Sequence, residues 1–439
     1  MKNLSKHPII TGTVILTCTG FITRIIGFFY RIFLSQNIGE EGMGIYQLLA
    51  PVMALSFSVT AAGIQTSISK HVAAYEAKEK QKQSISVLFC GLFLSVFLSL
   101  FLGLLLFQYS NPISACLLLE PRCAPLVRIY SISLPFAAIH SCINGYYYGL
   151  KKTALPSITQ LVEQLVRVIF VYVICMYTNH SDTTTQISVA VLGLVLGEVI
   201  SALISFIAIF RNKPFINISI FPQLKPLLFL AIPLSINRVA LNCLQSIEAV
   251  QLPRQLCNYG LSNSQSLSIY GVLTGMALPL ILFPQAITGS ISVLLLPYVS
   301  EADAANNPKR ISNAIYTSTA FCILMGSVTA LFFYILGPFL GEFLFHSKEA
   351  GLFIRSLSFM CPFLYLGSLL TSILNGIGKA TPAFFINVLA LCIRLFFIFL
   401  LVPYIGIKGY LYGLPISQIS HCLLNFLALK KYIYYNKRC

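Results

Sequence analysis

The chain has 439 residues, of which 57% are hydrophobic and only 10% charged, with a formal net charge of +16. Soluble domains carry about 25% charged residues, so this composition excludes an ordinary water-soluble globule. It calls for a bilayer, where each spanning helix takes roughly 20 mostly apolar residues.

The apolar stretch that starts after Pro8 continues past Phe33. A signal peptide has a shorter apolar core, so this stretch reads as the first permanent helix. In chain order, apolar segments predict spans at 9–34, 43–68, 85–107, 126–149, 155–177 and 187–210, then at 227–250, 268–296, 314–336, 353–376, 380–403 and 409–429. The expected fold is an all-α integral membrane protein of about twelve helices in two six-helix lobes, residues 1–210 and 227–439. A linker at 211–226, marked by Pro214 and Pro222, joins them. Prolines inside spans (Pro51, Pro135, Pro233, Pro279, Pro284, Pro362) predict bent helices, which a membrane tolerates when neighbours satisfy the freed backbone.

The connections set the orientation. With the N-terminus inside, the inner segments hold 18 of the 29 lysines and arginines, and the outer loops hold four: Arg122, Arg254, Lys348 and Lys408. This bias places both termini in the cytoplasm. Because the charge is divided among loops and does not form one soluble patch, no nucleic-acid partner is expected. The basic segment Lys70–Lys82, interleaved with Glu76 and Glu79, reads as a surface helix on anionic lipid. The 13 cysteines are mostly scattered, with no C-x-x-C pair or Cys/His cluster, so no metal is expected. Cys116 and Cys123 share one outer loop, and a disulfide there is left open.

The two halves repeat. At one constant spacing Arg128 meets Arg355, Pro135-Phe136 meets Pro362-Phe363, and Arg167 meets Arg394. At nearby spacings Ile45-Tyr46 meets Ile269-Tyr270, and Glu76-Ala77 meets Glu301-Ala302. Six helices per half make the repeat parallel, an arrangement that encloses a substrate path in many transporters.

Ionisable residues within spans are costly and are therefore functional candidates. Arg24 and Arg31 lie two turns apart on the first helix, about 10 Å along its axis, with no acid of that helix placed to pair with both. They suit an anionic headgroup, because a guanidinium fork matches phosphate. The structural alternative has Arg31 snorkelling and Arg24 paired. Arg238 sits mid-span on the seventh helix, and Glu248 near that helix's outer end is about 80° off its face. Either could face the path. Glu163 and Arg167 have the favourable i, i+4 order of a structural ion pair. Glu198 is a partner for Arg167 or Arg394. His140 and His421 read first as buried polar contacts and second as proton carriers. Seven arginines against three glutamates favour an anionic substrate.

Several stretches now carry a resemblance: Thr23–Arg31, Ile38–Tyr46, Gly145–Gly149, Gln160–Arg167, Gln245–Glu248 and Tyr270–Pro279. Together they resemble the stage V sporulation protein B family, within the superfamily of multidrug, oligosaccharidyl-lipid and polysaccharide (MOP) exporters. The resemblance implies a two-lobed transporter with a V-shaped central cavity, alternating between inward and outward states. It also implies a role in cell-envelope polysaccharide or cortex peptidoglycan. Related lipid II flippases set arginines of the first helix against the substrate pyrophosphate, and Arg24 and Arg31 match that pattern with a spacing one residue longer. Those flippases also carry arginines on the second and eighth helices, which this chain lacks, and many relatives have fourteen helices.

The expected function is a flippase for a lipid-linked pyrophosphate saccharide, acting as a monomer among membrane lipids. Arg24, Arg31, Arg238 and Glu248 are the expected substrate-binding residues. Glu163, Arg167, Glu198 and Arg394 are structural or coupling charges. No Walker motif is present, so direct ATP use and other cofactors are not expected. The alternative is an ion-coupled antiporter of organic cations, which needs acidic groups on its path. A membrane enzyme would need clustered catalytic carboxylates, and the loops offer little beyond Glu301 and Asp303.

Overall fold

The computed structural model describes residues 8–177, 182–212, 221–305 and 308–436. Among them there is no strand, and the helices account for nearly every residue. They run α1 (Pro8–Phe57), α2 (Gly63–Glu76), α3 (Gln81–Gln108), α4 (Ala124–Ser131), α5 (Leu134–Gly149), α6 (Ala154–Tyr177) and α7 (Thr183–Asn212). They continue as α8 (Phe221–Asn258), α9 (Asn263–Gly271), α10 (Leu278–Leu282), α11 (Gln285–Ala304), α12 (Pro308–Phe345), α13 (Lys348–Leu357), α14 (Cys361–Gly376), α15 (Ala380–Leu400) and α16 (Ile407–Asn436).

Nine described stretches are long and apolar enough to cross a membrane, and ten if α4 and α5, bent by 50°, form one span. The first of these, Ile15–Glu76, has 62 residues. At 1.5 Å per residue it is about 93 Å long, roughly three bilayer cores. It is broken at Gly39, whose φ of 70° only glycine adopts freely, so it supplies two crossings. α16, with 30 residues, is not among these stretches; only with it does the number of crossings reach the twelve expected. Residues 213–220 of the expected linker lie outside the described residues.

The helices show a membrane pattern. Along α3, Ser95 and Ser99 are fully buried, whereas Phe93, Phe97, Phe101 and Leu104, spaced by four and three, are each more than half exposed. Small residues let neighbouring backbones approach, and large apolar ones meet lipid. The Ser95 hydroxyl donates to the Thr60 carbonyl, which lies in a π-turn over Ser58–Ala62 between α1 and α2. Cys116 and Cys123 are both free thiols, so no disulfide closes the loop before α4. The Cys123 thiol is buried 3.8 Å from the Ile45 carbonyl.

The chain packs as two compact units: residues 1–30 with 45–246, and residues 31–44 with 247–439. The core of the first gathers Ile64, Ile68, Val87, Cys142, Tyr146 and Leu227. That of the second gathers Leu369, Leu370, Ile373, Leu374, Ile311 and Cys422. Two glycines fix residues 31–44 in the second unit. A Cβ on Gly44 would overlap the Leu267 carbonyl, and one on Gly271 would overlap the backbone of Glu40 and Gly44. Glu40 and Glu41 accept hydrogen bonds from Ser268 (2.7 Å) and Ser264 (2.6 Å) at the same contact. Gly44→Leu is expected to remove the folded species, because the clash is with backbone. Size-exclusion profiles of a fluorescent fusion would check this, and a normal monodisperse peak would refute the contact.

Candidate functional site

The intramembrane charges fall into two paired clusters and a remainder. In the first unit, Glu163 and Arg167 face the same side of α6 one turn apart, and Arg167 Nη2 donates to Glu163 Oε1 at 2.7 Å. The Cβ that Gly197 lacks would meet Glu163, so α7 comes in close there and places the adjacent Glu198 beside the pair. From α5, His140 directs Nδ1 at Glu198 Oε2, 3.6 Å away. Asn144 Nδ2 lies 2.7 Å from His140 Nε2. An amide donating there leaves the ring proton on Nδ1, facing the carboxylate. Ligand atoms of His140, Glu163 and Glu198 all lie within 4.8 Å of one another, so these three could converge on a cation. Arg167 already supplies a positive charge at Glu163, which opposes a second one.

The second unit repeats the arginine with a different partner. Arg394 occupies on α15 the place Arg167 has on α6, but Ala390 stands one turn before it. Its carboxylate comes instead from α8: Arg394 Nη1 donates to Glu248 Oε1 at 3.0 Å, and the Tyr410 hydroxyl of α16 donates to the same oxygen. Glu248 is buried. Spacing along one helix could reveal the first pair but not the second, because three separate helices meet there. His421 is buried, with Nε2 3.3 Å from the Thr371 hydroxyl. Arg128 donates to Ser110 at 2.7 Å, and Arg355 lies over the Tyr334 ring at 4.6 Å.

Arg24, Arg31 and Arg238 make up the remainder. Arg31 is half-buried and has an interaction of its own. Arg24 and Arg238 both belong to the first unit and are both exposed, and among the described residues neither has an ion pair or a hydrogen bond. Gly20 and Gly27 flank Arg24 one turn to either side, and a Cβ on Gly20 would meet nothing within 4 Å. The two glycines leave room beside Arg24 on its own helix, although Gly27 approaches the Gln164 side chain. Arg238 lies on the polar face of α8, with Ser235 before it and Asn242 after it. Asn242 donates to the Ala54 carbonyl at 3.2 Å and the Ser58 hydroxyl at 2.6 Å, and Ser235 packs against Gly63. These contacts dock α8 on either side of Arg238 and leave its side chain outside them.

The family described as "Polysaccharide biosynthesis protein" matches residues 9–303, and the MatE family matches residues 258–400. Among curated proteins, the chain is 26% identical to stage V sporulation protein B of Bacillus subtilis, covering 98% of this chain and 85% of that one. It is 22% identical to the lipid II flippase MurJ of the same organism, covering 98% and 84%. Among solved structures, it is similar to an inward-facing multidrug resistance MATE family transporter of the MOP superfamily, with a TM-score of 0.73 at 16% identity over 94% of this chain and 96% of that one.

Proposed function

Because this chain belongs to the polysaccharide biosynthesis protein family, and so is a multi-pass transporter of the MOP superfamily, we propose that it flips a lipid-linked pyrophosphate saccharide across the bacterial cytoplasmic membrane by alternating access. The cargo class is a cell-envelope polysaccharide or peptidoglycan precursor. The single observation that carries this reading is the distribution of charge. Each intramembrane glutamate stands beside a basic side chain: Glu163 beside Arg167, Glu198 beside His140, and Glu248 beside Arg394. Arg24 and Arg238 stand exposed with no such partner among the described residues. An arginine facing hydrocarbon at mid-span is costly, so both are assigned to the polar path, where a phosphate completes them. Arg31 and Glu248, each already engaged, are assigned to positioning. The similarity to a lipid II flippase supports the cargo class.

An organic-cation antiporter would need a carboxylate free to receive its cargo; Glu163 and Glu248 are each paired with an arginine, and Glu198 alone faces only a histidine. The proposed protein is a monomer with both termini cytoplasmic, and its work is transport without bond chemistry.

The test is reconstitution in liposomes with fluorescent lipid-linked saccharides bearing either a pyrophosphate or a monophosphate. The pyrophosphate lipid is expected to cross at least about tenfold faster, since one more charge-assisted hydrogen bond contributes about 1.5–3 kcal/mol. Arg238→Ala should erase most of that preference. Equal rates for the two lipids, or uptake of a cationic drug against a proton or sodium gradient, would overturn the reading.

A further inference from the structure

Away from the arginines, the first unit holds a cavity of about 690 Å³ where α2 ends, α3 begins and α5 turns into α6. The Tyr146 and Tyr147 rings, edge to face at 5.7 Å, stand on one side. Lys151 and Lys152 are exposed on the turn that borders it. Glu76, the last residue of α2, also lines it, and its Oε1 is shielded from solvent with no hydrogen-bond partner. A buried carboxylate oxygen without a donor is costly.

The internal repeat offers a comparison, in which the counterpart pair is exposed. Glu301, the counterpart of Glu76 in the second half, lies 3.8 Å from Arg310 near the start of α12. The matching stretch of α3 reads Gln83, Ser84 and Ile85 and offers no cation. Lys151 and Lys152 border the same cavity, yet no side chain among the described residues donates to Glu76 Oε1, which leaves that oxygen for a donor on a bound molecule. An ammonium satisfies Glu76 Oε1 through its N–H groups and suits the aromatic wall. The two lysines beside it call for an anion on the same molecule.

We infer that this cavity binds a phosphoethanolamine group, with the primary ammonium on Glu76 and the phosphate on Lys151 and Lys152. Phosphocholine fits worse because its nitrogen has no N–H to donate. Phosphatidylglycerol satisfies the lysines, but its hydroxyls bring Glu76 no positive charge. The group could be a phospholipid headgroup or soluble phosphoethanolamine, since both present the same atoms. The site is separate from Arg24 and Arg238 and does not depend on the identity of the cargo.

The test is native mass spectrometry of the full-length protein released from nanodiscs of equal parts phosphatidylethanolamine, phosphatidylcholine and phosphatidylglycerol. Phosphatidylethanolamine should be retained about tenfold over the other two, as one charged hydrogen bond predicts. Glu76→Gln should abolish that preference while leaving phosphatidylglycerol retention unchanged. Lys151→Ala with Lys152→Ala should lower retention of phosphatidylethanolamine and phosphatidylglycerol alike. If no lipid is preferred but free phosphoethanolamine raises the melting temperature of wild type and not of Glu76→Gln, the group is the soluble one. Equal retention of all three lipids with no shift by free phosphoethanolamine overturns the site, as does a preference that survives Glu76→Gln. Flipping rates decide none of these outcomes, so a failed cargo assignment would not imitate a failed headgroup site.

Discussion

Replacing Arg24 with alanine is expected to slow transport of the pyrophosphate lipid by about 30- to 150-fold while leaving the yield and melting temperature of the protein unchanged. The two halves of this expectation have one cause. Arg24 is exposed and has no partner within the described residues, so the fold loses no contact when it is removed. A bidentate guanidinium–phosphate contact contributes about 2–3 kcal/mol, which gives the range of rates. Arg24→Lys keeps the charge but loses the fork, so it should fall between wild type and alanine. Gly20→Leu offers an independent check. Nothing lies within 4 Å of the Cβ it would introduce, so the fold has room for it. The new side chain would stand one turn from the guanidinium, and transport should drop without loss of stability. Arg24→Ala that transports at the wild-type rate, at equal protein levels in proteoliposomes, would remove Arg24 from the path.

The second large effect concerns stability. Glu248→Ala should destabilise the protein by about 3–5 kcal/mol, because it leaves the Arg394 guanidinium largely buried without its carboxylate and the Tyr410 hydroxyl without its acceptor. Thermal unfolding of the detergent-solubilised protein would show this as a clear drop in melting temperature. Replacing both charges, Glu248→Leu with Arg394→Met, should recover most of the loss, since a buried pair can be exchanged for apolar side chains of similar volume at little net cost. The matching change in the first unit, Glu163→Ala, should cost less. Glu198 lies close to Glu163 and remains to face Arg167. If the two single variants lose equal stability, the two clusters are not differentiated in this way.

Much of the fold was legible because a bilayer constrains a chain so strongly. Long apolar segments had to be helices, and the repeated Arg and Pro positions pointed to two halves, but not to residues 31–44 packing with the second. The break at Gly39 and the close contact of Gly44 with Gly271 gave no comparable signal. A glycine in a helix reads the same whether it packs on a neighbour or bends the chain. The site was legible in part. Glu163 and Arg167 announced themselves because their spacing is a property of one helix. The pairing of Arg394 with Glu248 and Tyr410 depends on how three helices cross, and no period in the sequence encodes that. His140 beside Glu198 was hidden for the same reason. The exposure of Arg24 and Arg238 needed coordinates, although the glycines flanking Arg24 were visible as the pattern Gly20, Arg24, Gly27.

The two arginine clusters also differ in when they can form. Glu163 and Arg167 leave the ribosome almost together, and the helix that carries them can enter the bilayer already neutralised. Glu248 and Arg394 are 146 residues apart. At about 5–20 residues per second, the acid waits about 7–30 s for its base. Throughout that interval α8 has a bare carboxylate near one end, and α15 later brings in a bare guanidinium of its own, each opposed by the energetics of insertion. Final settling of α8 is thereby tied to the arrival of the eleventh and twelfth crossings. A nascent chain halted before Arg394 would carry an unmatched acid in the membrane, a mark by which quality-control proteases could distinguish it from the finished protein.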